Sequence, residues 1–236
     1  MTLVLAGCST ASAGDDRVLT VYAAASLTDV FAQLEEAYEA EHPHVDVVVV
    51  HGGSAELAAT IVEGAPADVF ASANEAQMEA VQELTAAPPT IFATNTLTLV
   101  VEDGNPLRLA GLDDLAREDV VSVVCAPQVP CGAATLELAA AEGATLAPSS
   151  QESSVTDVLG KVAAGQADAG VVYVTDVARA SGVEQVEIDG AAAVVNSYPI
   201  APMSGGESLD LAASFVDLVL GDAGQRVLAE AGFGSP

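Results

Sequence analysis

The chain has 236 residues, 51% of them hydrophobic, and a formal net charge of −28 with six Lys and Arg in total. That much apolar content buries a globular core, as one domain or two lobes, and excludes a disordered chain. The acidity excludes nucleic acid or an anionic membrane surface as the main partner; it serves solubility or salt adaptation and says little about a site.

Leu5-Ala6-Gly7-Cys8 resembles the lipobox of bacterial lipoproteins, and a Ser/Thr/Ala/Gly-rich tether, STASAGDD, follows it. The resemblance implies that Cys8 becomes the lipidated first residue of the mature protein. Seven residues precede Cys8 and none is basic, so the start is expected to be truncated or misplaced, with residues 1–17 as leader and tether. No other stretch is long and apolar enough to span a bilayer.

Val18 to Ala23 predicts the first strand. It runs into Ala24-Ala25-Ser26, and Leu27, Phe31, Leu34 and Tyr38 give a helical stripe that Pro43 ends. Val47 to Val50 are apolar and β-branched enough to predict a strand covered on both faces. His51, Gly52 and Gly53 end it, Ser54 stands where a helix N-cap belongs, and Leu57, Ala58, Ile61 and Val62 follow on one helical face. Gly64 and Pro66 close that helix, and Asp68 to Ser72 is the next strand. Two glycines before a helix start allow close backbone approach, and the unpaired first N–H groups with the helix dipole favour negative charge. Ser26 repeats that geometry. In a parallel sheet both serines fall at the carboxyl ends of strands, where ligands of α/β folds bind.

A helix over Glu75–Leu84 precedes Pro88-Pro89, a strand covers Thr96 to Val101, and a short helix near Leu112–Ala116 leads to the strand Val120–Cys125. In APQVPCGAATLELAAA, prolines stiffen the loop, Gly132 permits tight entry into a helix, and the N–H groups of Cys131 and its neighbours face a strand end. Ser153 to Ala164 is a helix starting at Ser153 or Ser154, with Val155, Val158, Leu159 and Val162 on its buried side. Strands follow at Asp168–Val174 and Val183–Ile188, then an extended Pro-rich segment Asn196–Pro202, then helices near Leu209–Leu220 and Ala223–Ala231. Cys125 and Cys131 form an even pair, read as a disulfide in an exported chain, with two free thiols or a metal pair as alternatives.

The expected architecture is α/β: two lobes, each a mainly parallel sheet flanked by helices, joined by two hinge crossings. Residues 18–95 and 200–236 form the first lobe and residues 96–199 the second, with a ligand between them and closure as the motion.

Ala23-Ala24-Ala25-Ser26-Leu27-Thr28, Gly53-Ser54, Gly64-Ala65-Pro66-Ala67-Asp68-Val69-Phe70, Val129-Pro130-Cys131-Gly132 and Gly170-Val171-Val172-Tyr173 are collinear. Together they resemble the periplasmic molybdate-binding proteins of molybdate ABC transporters, which are type II solute-binding proteins. The resemblance implies hydroxyl and N–H donors at Ser26 and Ser54, backbone N–H donors at Cys131 and Val155, and a phenol donor at Tyr173. It further implies molybdate or tungstate as cargo, no cofactor, a membrane ABC permease as partner, a monomer, and an extracytoplasmic place. No Lys or Arg stands in the four junctions, so a dianion there is held by neutral dipoles. An all-donor site rejects protonated anions and disfavours phosphate near neutral pH, leaving a carrier of sulfate or another tetrahedral oxyanion as the alternative.

An enzyme is the first rival class. GGSAE lacks the spacing of a nucleophile elbow, no G-x-G-x-x-G is present, and Cys131 as a nucleophile would need a free thiol and a base. A metal carrier using His42, His44 and His51 is the second; His42 and His44 fall at a helix end, and a solvated helix terminus is the better account.

Overall fold

A computed structural model describes residues 17–236; Cys8 and the tether lie outside the described residues. In chain order the first lobe opens with β1 (Arg17–Ala24), a 3-10 turn (Ala25–Leu27), α1 (Thr28–Glu41), β2 (Val45–Gly52), α2 (Ser54–Val62), β3 (Val69–Ala71) and α3 (Glu75–Glu79). The long strand β4 (Thr90–Glu102) leads to β5 (Ser122–Cys125), α4 (Pro130–Glu142), β6 (Ser150–Glu152), α5 (Val155–Ala163), β7 (Ala169–Tyr173), α6 (Val174–Ala178) and β8 (Val183–Val186). Strand β9 (Val195–Pro202) returns, and α7 (Leu209–Leu220) and α8 (Asp222–Glu230) close the chain.

The strands hydrogen-bond in the order β2-β1-β3-β9-β4-β7-β5-β6, with β8 beside β4. Pairing is parallel in β1–β2, β1–β3, β5–β6 and β5–β7, and antiparallel wherever β4 or β9 takes part. Strand β4 is what joins the lobes: Thr90 to Thr96 pair with β9, and from Leu97 onward it pairs with β7 and β8. Buried apolar residues between Leu97 and Val194 form one core, and those of the flanking segments form two others. Each lobe therefore has its own interior, and the paired crossing strands form the hinge between them.

Local sequence explains the elements. Val30, Phe31, Leu34 and Tyr38 bury one face of α1; Phe31 meets Phe92 and Phe215 at 6.2 and 6.1 Å between ring centroids. His42 lies at the helix end, as expected, but it stacks on Tyr38 at 4.1 Å and is half-buried rather than simply solvated. Asp68 of the Gly64–Phe70 motif is buried and structural: it accepts from Thr20 N at 2.7 Å and Ser208 N at 3.0 Å, tying β3 to β1 and to the entry of α7.

Three expectations change, and one short helix is unanticipated. Strand β2 is an edge strand, so Val47 is buried but Val48 is 42% exposed and the run is not covered on both faces. The helix expected to reach Leu84 stops at Glu79, and its tail is drawn onto the end of β9, where Ser204 N and Oγ both donate to Leu84 O. The strand expected over Thr96–Val101 runs from Thr90 to Glu102 and is itself a crossing. Helix α6, five residues long, is too short to leave a periodic signal.

Candidate functional site

At the mouth between the lobes, β1, β2, β5 and β7 end where helices begin. Ser26 lies in the 3-10 turn leading into α1, Ser54 is the first residue of α2, Cys131 the second of α4 and Val155 the first of α5. With Tyr173 at the end of β7, all five line one cavity, together with Ala24, Ala25, Gly52, Gly53, Ala73, Val129, Pro130 and Ser154. Its volume is about 10 Å3, against roughly 300–1,000 Å3 for pockets that take organic ligands. A ligand of a few atoms suits it.

The serines do not cap helices in the way their positions suggest. Gly53, not Ser54, is the N-cap of α2; the Ser54 hydroxyl instead accepts from Ala73 N at 3.0 Å. That bond occupies an oxygen lone pair and leaves the hydroxyl proton to donate elsewhere. Ser26 Oγ is 3.2 Å from Tyr198 Oη and caps nothing. Ser154 does cap α5, accepting from Asp157 N at 3.1 Å.

Pro130 at the first position of α4 has no N–H, so Cys131 supplies an early free one. The disulfide between Cys125 and Cys131 joins the end of β5 to this helix start, so the pair is bridged rather than free or metal-binding. A Cβ on Gly132 would overlap Ala126 O, which is why only glycine allows the helix to enter this close to the strand.

Tyr173 is buried, and its phenol accepts from Asn196 Nδ2 at 2.8 Å. Burial first, then the neighbouring Tyr198 and Asp176, push the Tyr173 pKa well above 10. Burial raises that of Tyr198 as well. Both phenols keep their protons, which leaves each a hydrogen to donate. No side chain lining the cavity is charged. Arg179 stands outside it, held by Asp176 at 2.7 Å and reaching Asp29 on the other lobe at 3.4 Å.

The starts of α2, α4 and α5 and the 3-10 turn before α1 therefore bring N–H groups and positive dipole ends to one small volume, with the hydroxyls of Ser26, Ser54 and Tyr173 beside them. Such a set stabilises a compact anion by hydrogen bonds to a charged acceptor, without a counter-ion. Asn196 and Tyr198 are participants the sequence reading passed over. Their signal was present: in NSYPIAP the two stand at i and i+2, polar or amphipathic on one face of a strand otherwise buried.

The model of the bacterial extracellular solute-binding protein family matches residues 19–234. The molybdate-binding protein ModA of Mycobacterium tuberculosis is 47% identical over 223 residues, 93% of this chain and 85% of that protein. Among solved structures, the substrate binding domain of a putative molybdenum ABC transporter from Clostridium difficile is 27% identical with a TM-score of 0.66, covering 93% of this chain and 99% of that one. The Azotobacter vinelandii periplasmic molybdate-binding protein shares the fold at a TM-score of 0.75 and 22% identity, covering 92% and 99%. With two lobes of the type II periplasmic binding protein fold, a small donor-lined cavity between them and a match along nearly its whole length, the chain belongs to the bacterial extracellular solute-binding proteins.

Proposed function

We propose that this protein captures molybdate or tungstate between its lobes outside the cytoplasm and delivers it to a membrane ABC permease, performing no chemistry. The observation that carries the reading is the convergence of three helix starts, a 3-10 turn and the hydroxyls of Ser26, Ser54 and Tyr173 on a cavity without a charged side chain. The ligand set is Ser26, Ser54 and Tyr173 through hydroxyls and Cys131 and Val155 through backbone N–H groups. Similarity to the molybdate-binding protein ModA of Mycobacterium tuberculosis supports the choice of cargo. A dianion that offers only acceptors meets donors on every side; a protonated one brings a hydrogen with no partner.

Residues 18–95 and 200–236 act as one moving body and 96–199 as the other. The protein works as a monomer, and a lipid on Cys8 holds it to the outer face of the membrane.

The test is calorimetric titration of the purified chain with molybdate, tungstate, sulfate and phosphate in one buffer. Tight binding of the first two with weak sulfate supports the reading. Sulfate bound as tightly as molybdate moves the function to a general carrier of tetrahedral oxyanions, and no binding of any of the four removes it.

A further inference from the structure

We infer that Asn196 is a specificity-determining residue, selecting fully deprotonated oxyanions by holding the Tyr173 hydroxyl as a donor toward the cavity. The inference rests on the oxyanion reading of the site and adds to it the residue that fixes the direction of one of its hydrogen bonds.

Asn196 is buried on the crossing strand β9, directly opposite Asn95 of β4 in the antiparallel register. Its Nδ2 donates to Ala73 O at 3.0 Å and to the Tyr173 hydroxyl at 2.8 Å. A backbone carbonyl only accepts, so the amide nitrogen, not its oxygen, must face Ala73; this settles the orientation of the amide. Both amide protons are then spent, one on each partner. The Tyr173 oxygen consequently accepts from behind, and its single proton turns toward Tyr198 or into the cavity, never toward Asn196.

The same amide links the two lobes' contributions. Ala73, whose carbonyl it holds, gives its own N–H to Ser54 Oγ. Ser54 of the first lobe and Tyr173 of the second each accept one bond from the scaffold and each keep one proton to give. A tetrahedral dianion presents acceptors to both. A monoprotonated anion presents a hydrogen to at least one donor, and Asn196 closes one of the directions into which the phenol proton could turn away, leaving Tyr198 as the alternative.

Asn196→Asp changes this with nearly the same shape. The introduced carboxyl, ionised or protonated, accepts the Tyr173 proton and turns an oxygen lone pair toward the cavity. Asn196→Ala removes the amide without supplying an acceptor, so the phenol proton can still reach the ligand but is no longer barred from turning to the vacated side. The experiment titrates wild type, N196D and N196A, each with Tyr173 intact and with Tyr173→Phe, against molybdate and against phosphate at pH 7. Expected for N196D are a loss of about tenfold or more in molybdate affinity and a fall in the preference for molybdate over phosphate. N196A should lose less affinity, since it introduces no acceptor, but it should also lose part of the preference, and the effects of both variants should vanish in the Tyr173→Phe background, where no phenol remains to orient.

N196D with wild-type affinity and preference overturns the inference. So does an effect of the same size with Phe at position 173. If N196D does not fold, an N196A effect that persists undiminished with Tyr173→Phe overturns it in the same way. A wild-type chain that binds neither anion overturns the oxyanion reading itself and is told apart by flat titrations throughout.

Discussion

Gly53 and Ser153, on opposite lobes, meet so closely that a Cβ on Gly53 would overlap the Ser153 carbonyl oxygen. The backbone of Gly53, at φ −61° and ψ 131°, is one that any residue adopts. Glycine is needed there for space between the lobes, not for the fold of either. Gly53→Ala should therefore weaken ligand binding by about tenfold or more while leaving the unfolding midpoint of the ligand-free protein unchanged or slightly raised, since alanine reduces the entropy of the unfolded chain. Titration beside thermal unfolding checks this; wild-type affinity in the variant would mean that the close approach is not required for binding.

The hydroxyls should separate by their second partners. Ser54→Ala removes a proposed ligand donor and also strands Ala73 N–H in the interior, so it should lower stability by about 1–3 kcal/mol as well as affinity. Ser26→Ala leaves the Tyr198 hydroxyl its other neighbours, Asn95 and Tyr173, and should act mainly on affinity, by about 1.5–3 kcal/mol for a bond to a charged acceptor. Denaturant unfolding and titration on the two variants give both numbers. Equal stability losses would contradict the assigned partners.

This division between donor and support also marks how far the site was legible. Ser26, Ser54 and Cys131 could be located because a strand that runs into a helix start advertises an anion seat, whatever the tertiary contacts. Val155 and Tyr173 needed the likeness to a family, since a valine or tyrosine at a strand–helix junction carries no such signal alone. What the donors hydrogen-bond to was not legible: Ala73, Asn196 and Tyr198 lie 19, 23 and 172 positions from their partners Ser54, Tyr173 and Ser26; the first distance closes through β1, between β2 and β3, and the other two through β9. In the fold, the valines of β2 look like a strand covered on both faces because hydrophobic content does not reveal how far a packed layer extends over a strand at the sheet edge. The far half of β4 escaped for the opposite reason: Thr90 to Thr96 alternate apolar and polar weakly, and only pairing with β9 makes them a strand.

The net charge of −28 opposes the approach of a dianion at long range. Screening shortens that repulsion, so the association rate for molybdate should rise with ionic strength, in contrast to proteins with a basic funnel. Stopped-flow measurements from low to physiological salt decide it, and a falling rate would show a local positive field at the cleft.

Asp176 gives a pH dependence of known sign. Burial lifts its pKa to about 6, against the lowering effect of Arg179. An unfolded aspartate titrates near 3.9, so between those values the folded chain binds more protons than the unfolded one. The stability due to this group is then full below about pH 4 and falls as pH rises toward about 6. Wild type measured against Asp176→Asn should lose about 1–3 kcal/mol across that window, with His51, whose pKa burial lowers, cancelling in the comparison. A difference independent of pH would show that Asp176 is ionised throughout.

The Cys125–Cys131 bridge should act on stability and on the ligand together. It closes a loop with a sequence separation of 6, for which loop entropy gives a stabilisation of about 2 kcal/mol. It also pins the start of α4, where the Cys131 N–H faces the cavity, to the end of β5. Replacing both cysteines by serine should lower the unfolding free energy by about that amount and, at temperatures where the variant is still fully folded, weaken molybdate binding, because the helix start is then held by Gly132 packing and the Val129–Ala126 turn alone. A variant less stable but equal in affinity would assign the bridge to stability only and leave the placement of the Cys131 N–H to the surrounding backbone.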